Sequence, residues 1–195
     1  RRAAQQGITE AQYNLGNMYY NGYGVGRNFR EAFHWFSKAA EGGNADAQYM
    51  EGRMYALGQG VTKDPLEAAR CYRRAAVQDH ARAQYALGVA YEKGRGVRRD
   101  DNKAASWYEQ AAGRGHLEAQ NALGVMSYEG RGVPQSAERA AEWLVPAWLN
   151  FSYAVLLGQQ AVMGRTLFVY SLAAAAMLAV LALDAWWARY RRRKT

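Results

Sequence analysis

A period of 36 residues runs through this chain and limits what it can fold into. Ala-Gln-Tyr begins at Ala11, Ala47 and Ala83, and Ala119 opens the variant Ala-Gln-Asn. Companion glycines stand at Gly16, Gly52, Gly88 and Gly124, and a Gly-x-Gly-Val run starts at Gly22, Gly58, Gly94 and Gly130. A fixed period of this length marks a solenoid, in which each unit buries its apolar face only against its neighbours. The expected business of such an array is to hold partners on an extended surface.

Within the first unit, Ala11, Leu15, Met18 and Tyr19 recur at the spacing of one helix face, which predicts a helix A from Thr9 to Asn21. It should stop at Gly22, where Gly-Tyr-Gly supplies left-handed backbone angles at little cost. A second stripe at Ala32, Trp35, Phe36, Ala39 and Ala40 predicts an antiparallel helix B ending near Gly42 and Gly43. Small residues recur where the helices must approach closely, at Gly16, Ala32, Ala39 and Ala40. Bulky ones align between them: Tyr19 with Tyr55 and Tyr91, and Phe36 with Tyr72 and Tyr108. Small and large groups can therefore interdigitate as a packed interior requires. The fold class is all-α, an array of helical hairpins.

The motif resembles the Sel1-like repeat, a relative of the tetratricopeptide repeat. Its signatures are Leu15-Gly16, Leu87-Gly88 and Leu123-Gly124, with Glu51-Gly52 departing at the leucine, together with the Gly-x-Gly-Val turn. Asp64 and Asp100 match the family's acidic residue after the turn. Asn28 and Ser136 substitute for it, and all four can cap helix B. The resemblance covers about residues 1 to 145 and implies a right-handed α-solenoid of antiparallel hairpins.

Arg1-Arg2-Ala3-Ala4 aligns at twice the period with Arg73-Arg74-Ala75-Ala76, so residues 1–10 are expected to be the remnant of a preceding repeat, with more repeats upstream. The alternative is an atypical cap. Four repeats then occupy 11–146. Ser127 replaces the recurring tyrosine and Pro146 cuts the last helix B short. Residues 147–163 are expected to form a capping or juxtamembrane helix.

From Leu167 to Leu183 no charge interrupts a mostly apolar run of 17 residues, the short limit for a bilayer span. Trp186 and Trp187 stand where an interfacial aromatic belt would sit, so 164–188 is expected to be a transmembrane helix and 189–195 a basic tail. The alternative is a buried helix of a soluble domain, since Ala173 to Ala176 lower the hydrophobicity. Five basic residues beyond the run, against Arg165 before it, place the C-terminus in the cytosol, or in the matrix for a mitochondrial protein, and the repeats across the membrane. That compartment is the endoplasmic-reticulum lumen, or the intermembrane space for a mitochondrial inner-membrane protein. Asn150-Phe151-Ser152 is an N-glycosylation acceptor pattern compatible with a luminal array.

The net charge of +8 owes +5 to the tail, leaving +3 over the rest, and does not support nucleic-acid binding. The tail can touch anionic lipid headgroups. Cys71 falls where Trp35, Trp107 and Trp143 stand in the other repeats and reads as core filling. His34 stands apart, while His80 and His116 occupy equivalent loops with no accompanying ligand cluster, so neither a metal nor another cofactor is expected. No catalytic residues are expected either.

Related hairpin arrays line their concave surface with helix A, at positions that vary from unit to unit. Here these are Asn14, Asn17 and Asn21, then Met50, Arg53 and Leu57, then Val89 and Lys93, then Val125 and Glu129. They are the candidate contacts for a protein partner. The arrangement as a whole resembles the Sel1/Hrd3-type adaptors, which implies an adaptor that recruits substrates and holds the ligase of an endoplasmic-reticulum-associated degradation complex. The alternative is a structural accessory subunit of a large membrane assembly, such as a mitochondrial respiratory complex, with Ala173 to Ala176 packing on other transmembrane helices.

Overall fold

The computed structural model describes residues 1–144. The expected segments 147–163, 164–188 and 189–195, and Asn150, lie outside the described residues. Among those described, no helix is long and apolar enough to cross a membrane and there is no strand. The helices are α1 (Arg2–Gln5), α2 (Thr9–Asn21), α3 (Phe29–Glu41), α4 (Ala45–Leu57), α5 (Pro65–Ala76), α6 (Ala81–Lys93), α7 (Asp101–Gly113) and α8 (Leu117–Glu129). Helix also covers 137–144. Arg1–Ala119 form one compact unit and a second begins at Gln120.

In the first unit each helix packs on its sequence neighbour from α1 to α7, as an all-helical solenoid requires. The A helices end as the sequence predicts. Gly22, Gly58 and Gly94 take left-handed angles, and their N–H groups return to Met18, Met54 and Ala90 carbonyls. The chain then doubles back through one repeated bond. Asn28, Asp64 and Asp100 N–H donate to the carbonyls of Tyr19, Tyr55 and Tyr91 at 2.9–3.0 Å. The same three side chains cap the B helices, with Asn28 Oδ1 accepting from Arg30 and Glu31, Asp64 Oδ1 from Leu66 and Glu67, and Asp100 Oδ1 from Lys103 N–H. Pro65 adds a preset φ at the first turn of α5, where its missing N–H costs nothing.

Close packing inside each hairpin follows from the glycine of helix A. A Cβ on Gly16, Gly52 or Gly88 would stand 2.7, 2.8 or 2.6 Å from the rings of Phe36, Tyr72 and Tyr108. Those rings are buried because the glycine lets them in: Phe36 is 0% and Tyr108 1% exposed.

Between hairpins the glutamine of Ala-Gln-Tyr forms a recurring tie that periodicity alone does not reveal. Gln12, Gln48 and Gln84, all buried, donate from Nε2 to the carbonyls of Ala4, Ala40 and Ala76 at 3.1–3.2 Å. Each reaches back to the end of the preceding helix, so the tie sets the register of one hairpin on the last and adds a second donor to a carbonyl that already accepts from Gly7, Gly43 or Asp79 N–H. Ala4 in α1 thus plays the part that Ala40 plays in α3.

In the second unit the pattern continues with changed residues. Ser136 N–H donates to Ser127 O at 2.9 Å, and Ser136 Oγ accepts from Arg139 N–H. Leu144 takes the place of the aromatic ring, lying 2.7 Å from where a Gly124 Cβ would stand. Leu123, Met126, Ala140 and Leu144 are buried.

Candidate functional site

The A helices of the second and third repeats border a groove of about 1190 Å³. From α4 come Tyr49, Arg53, Ala56 and Leu57; from α6 come Arg82, Tyr85, Ala86 and Val89. The α4–α5 turn and the first residues of α5 contribute Lys63 and Pro65, with Ala68 and Tyr72 deeper in, and Arg95 and residues 115–118 close the far side.

The tyrosine of each Ala-Gln-Tyr shapes the wall. Tyr49 lies 5.9 Å from the Tyr72 ring and 5.0 Å from His80, and Tyr85 lies 5.6 Å from Tyr108 and 4.7 Å from His116 in a stacked pair. A side chain from the partner helix and an imidazole from the next turn therefore fix each tyrosine in place, which presents a rigid aromatic surface. Burial and the neighbouring Tyr49 hold the Tyr72 hydroxyl well above its ordinary pKa, so it stays neutral.

His80 has a second structural role. Its Nδ1 accepts from Ala83 N–H at 3.1 Å, capping α6, while Nε2 lies 3.1 Å from Asp46 Oδ1. In the preceding repeat, Asn44 Oδ1 accepts from Ala47 N–H to cap α4, and its Nδ2 donates to Glu10 at 3.4 Å. At His116 the ring lies 3.3 Å from Glu118. Burial is the main cause that pushes the His116 pKa down; Glu118 opposes it and Arg82 adds to it. Among the described residues no group of three or more His, Cys, Asp and Glu is placed to hold a metal.

Of the contacts expected from sequence, Arg53, Leu57 and Val89 come together in this groove. Arg53 lies over the Tyr49 ring at 5.9 Å, and Leu57 is 57% exposed despite being apolar. Met50 is a correction: it is buried with Ala32, Phe36 and Met54 in the core between the first two hairpins. Arg53, one turn on and on the same side of α4, lies over it with Nη1 3.7 Å from Met50 Sδ, so the guanidinium and not the thioether faces the groove. Asn14, Asn17 and Asn21 sit on α2 away from the groove lining, and Asn21 Nδ2 donates to Asn17 O at 3.0 Å. Lys93 is exposed beside Glu92 at 3.2 Å and does not line the groove. Val125 and Glu129 belong to the second unit, where both are exposed and Glu129 pairs with Arg131.

Tyr49, Lys63, Arg82, Tyr85, Arg95 and His116 are groove residues that the sequence reading missed. One signal was available. Glu10, Asp46 and Glu118 hold the second position of their A helices, and Arg82 reverses the charge at that place in α6.

Helical hairpins stacked by side-chain ties, with an aromatic groove on their first helices, define an α-solenoid of the TPR-like, protein-binding class. The chain belongs to the Sel1 repeat family, which matches residues 9–44, 45–80, 81–116 and 117–147. Its fold is similar to that of a protective antigen present in uropathogenic Escherichia coli strains and displaying an SLR fold. The TM-score is 0.75 at 36% identity, over 88% of this chain and 39% of that one. A Sel1 repeat protein from Oxalobacter formigenes is similar with a TM-score of 0.71 at 34% identity, over 74% of this chain and 60% of that one. The chain thus spans less than two thirds of either relative. No curated protein matches it. Sel1 repeats generally mediate protein–protein interaction, and proteins built from them are generally non-catalytic scaffolds.

Proposed function

We propose that this chain is a non-catalytic, membrane-anchored scaffold that holds a protein partner in the groove between α4 and α6. The observation that carries the partner-holding role is the groove itself, where exposed Leu57 and half-buried Val89 stand beside tyrosines already fixed by their neighbours. Rigid, partly apolar aromatic surfaces are what protein interfaces use as anchors, because little side-chain entropy is lost on binding.

The anchor rests on the sequence of 164–188, with its apolar run, paired tryptophans and basic end. In that reading the repeats face away from the cytosol, in the endoplasmic-reticulum lumen or the intermembrane space. Resemblance to the Sel1/Hrd3-type adaptors supports substrate recruitment to a degradation ligase. Ala173 to Ala176 support the second reading, a brace within a larger membrane assembly.

The test is to purify the full chain from its own cells in mild detergent, alongside a Leu57→Asp, Val89→Asp variant, and to identify co-purifying proteins by mass spectrometry. The reading expects a defined partner that the variant loses. A ubiquitin ligase with luminal chaperones would make the scaffold a quality-control adaptor, and integral complex subunits would make it a brace. An unchanged set of partners from the variant would contradict the groove. Retention in membranes after deletion of 164–195 would contradict the anchor.

A further inference from the structure

Resting on the groove as the binding face, we infer that its occupant is an acidic peptide segment carrying an apolar side chain among its carboxylates. Four cations, Arg53, Lys63, Arg82 and Arg95, line the groove against the single acid Glu118. Lys63, Arg82 and Arg95 are exposed and make no ion pair among the described residues. A cleft lined by one sign of charge focuses its field and draws the opposite charge in.

Arg82 is the most telling of the four. At the start of an A helix an acid suits the positive end of the helix dipole, and α2, α4 and α8 each carry one in the first turn. In α6 that turn has no acid, and Arg82 stands in its place. The exchange also removes a contact that the array repeats. Glu10 meets Asn44 and Asp46 meets His80, whereas the charge of Arg82 opposes protonation of His116. A residue that violates its local rule with no compensating partner in the fold is expected to meet that partner in a ligand. Carboxylates are the natural match for arginines in a partly desolvated cleft.

The apolar requirement follows from Leu57, Val89 and the tyrosines between the cations. A nucleic acid fits less well: backbone binding of that kind draws on six to ten phosphate contacts, roughly, and gains nothing from an apolar leucine and valine in the lining. The chain's own residues 189–195 are excluded as occupant by charge, being basic themselves.

The probe is a short fluorescent peptide of alternating glutamate and leucine with one tryptophan, titrated into the detergent-solubilised full chain. Controls are the same peptide with lysine for glutamate, and an oligonucleotide of equal charge. The glutamate peptide should bind and the lysine peptide should not. Arg82→Glu should weaken binding by at least about tenfold without lowering the thermal midpoint, because it restores the acid favoured at that helix start. Equal binding of both peptides, tighter binding of the oligonucleotide, or an Arg82→Glu variant of unchanged affinity would overturn the proposal. Natural partners lost from the Leu57→Asp, Val89→Asp variant but kept by Arg82→Glu would overturn the acidic occupant alone. Partners kept by both would overturn the groove as well.

Discussion

Cys71 donates from Sγ to Glu51 Oε2 across 3.4 Å, and this pair replaces the leucine and tryptophan found at the same places in the other three repeats. Glu51 is 8% exposed, yet its carboxylate is well supplied: Ser37 Oγ donates to Oε1 at 2.8 Å and Arg74 Nη1 lies 3.6 Å from Oε2. The second repeat therefore carries a polar network where its neighbours carry apolar packing. Buried carboxylates persist only when they are satisfied in this way.

Removing the carboxylate leaves Ser37 and Cys71 without their acceptor and Arg74 without its counter-charge. Glu51→Ala is expected to destabilise the chain by about 1–2 kcal/mol, less than a fully buried pair would give because Arg74 is 46% exposed. Urea denaturation of the detergent-solubilised protein checks it. The thiol offers a second readout, since burial and then Glu51 hold its pKa far above the ordinary cysteine value. Cys71 should resist alkylation at neutral pH until the protein is unfolded.

Two glycines separate packing from propensity. Gly88→Ala puts a Cβ 2.6 Å from the Tyr108 ring and should cost about 1–3 kcal/mol. Gly113, the last residue of α7, has nothing within 4 Å of the equivalent position, so Gly113→Ala should gain up to about 1 kcal/mol from helix propensity. Thermal midpoints should move in opposite directions.

The glutamine tie is testable at Gln84, which is 0% exposed. Gln84→Leu removes the bond to Ala76 O, which then keeps only the Asp79 N–H as donor, at a cost of about 0.5–1.5 kcal/mol. Amide hydrogen exchange should accelerate at the start of α6 more than within α2.

Much of this was legible in the sequence because the repeat reports it four times over. Helix A from Thr9 to Asn21, the glycine stops, and the caps at Asn28, Asp64, Asp100 and Ser136 all follow from local chemistry, and the recurring small residue at Gly16 marked a close helix approach. Met50 was misplaced because its burial depends on α3 of the preceding hairpin, a contact that helical periodicity within α4 does not encode. The glutamine was read as motif and not as a tie, since its acceptor is a backbone carbonyl eight residues earlier. The groove itself arises from the gap between successive A helices. Only the reversed charge at Arg82 marked it in the sequence.

His116 gives the chain a pH dependence with a definite sign. Its folded pKa lies below the ordinary value of 6.5, so the folded protein favours the neutral ring. Stability from this group is present above pH 6.5 and is lost as pH falls from there through the lower folded pKa. Urea midpoints should decline over that window, and Arg82→Glu should raise the His116 pKa seen by NMR titration, because it removes one of the charges that depress it.

Site-specific photo-crosslinking in the protein's own cells tests the binding face most directly. A photoreactive residue at Val89, inside the groove, should join the full chain to one recurrent protein. The same residue at Ser106, exposed on α7 and outside the groove, should not. Crosslinks to that protein from position 106 with none from position 89 would contradict the account and move the interaction to the opposite helices of the array.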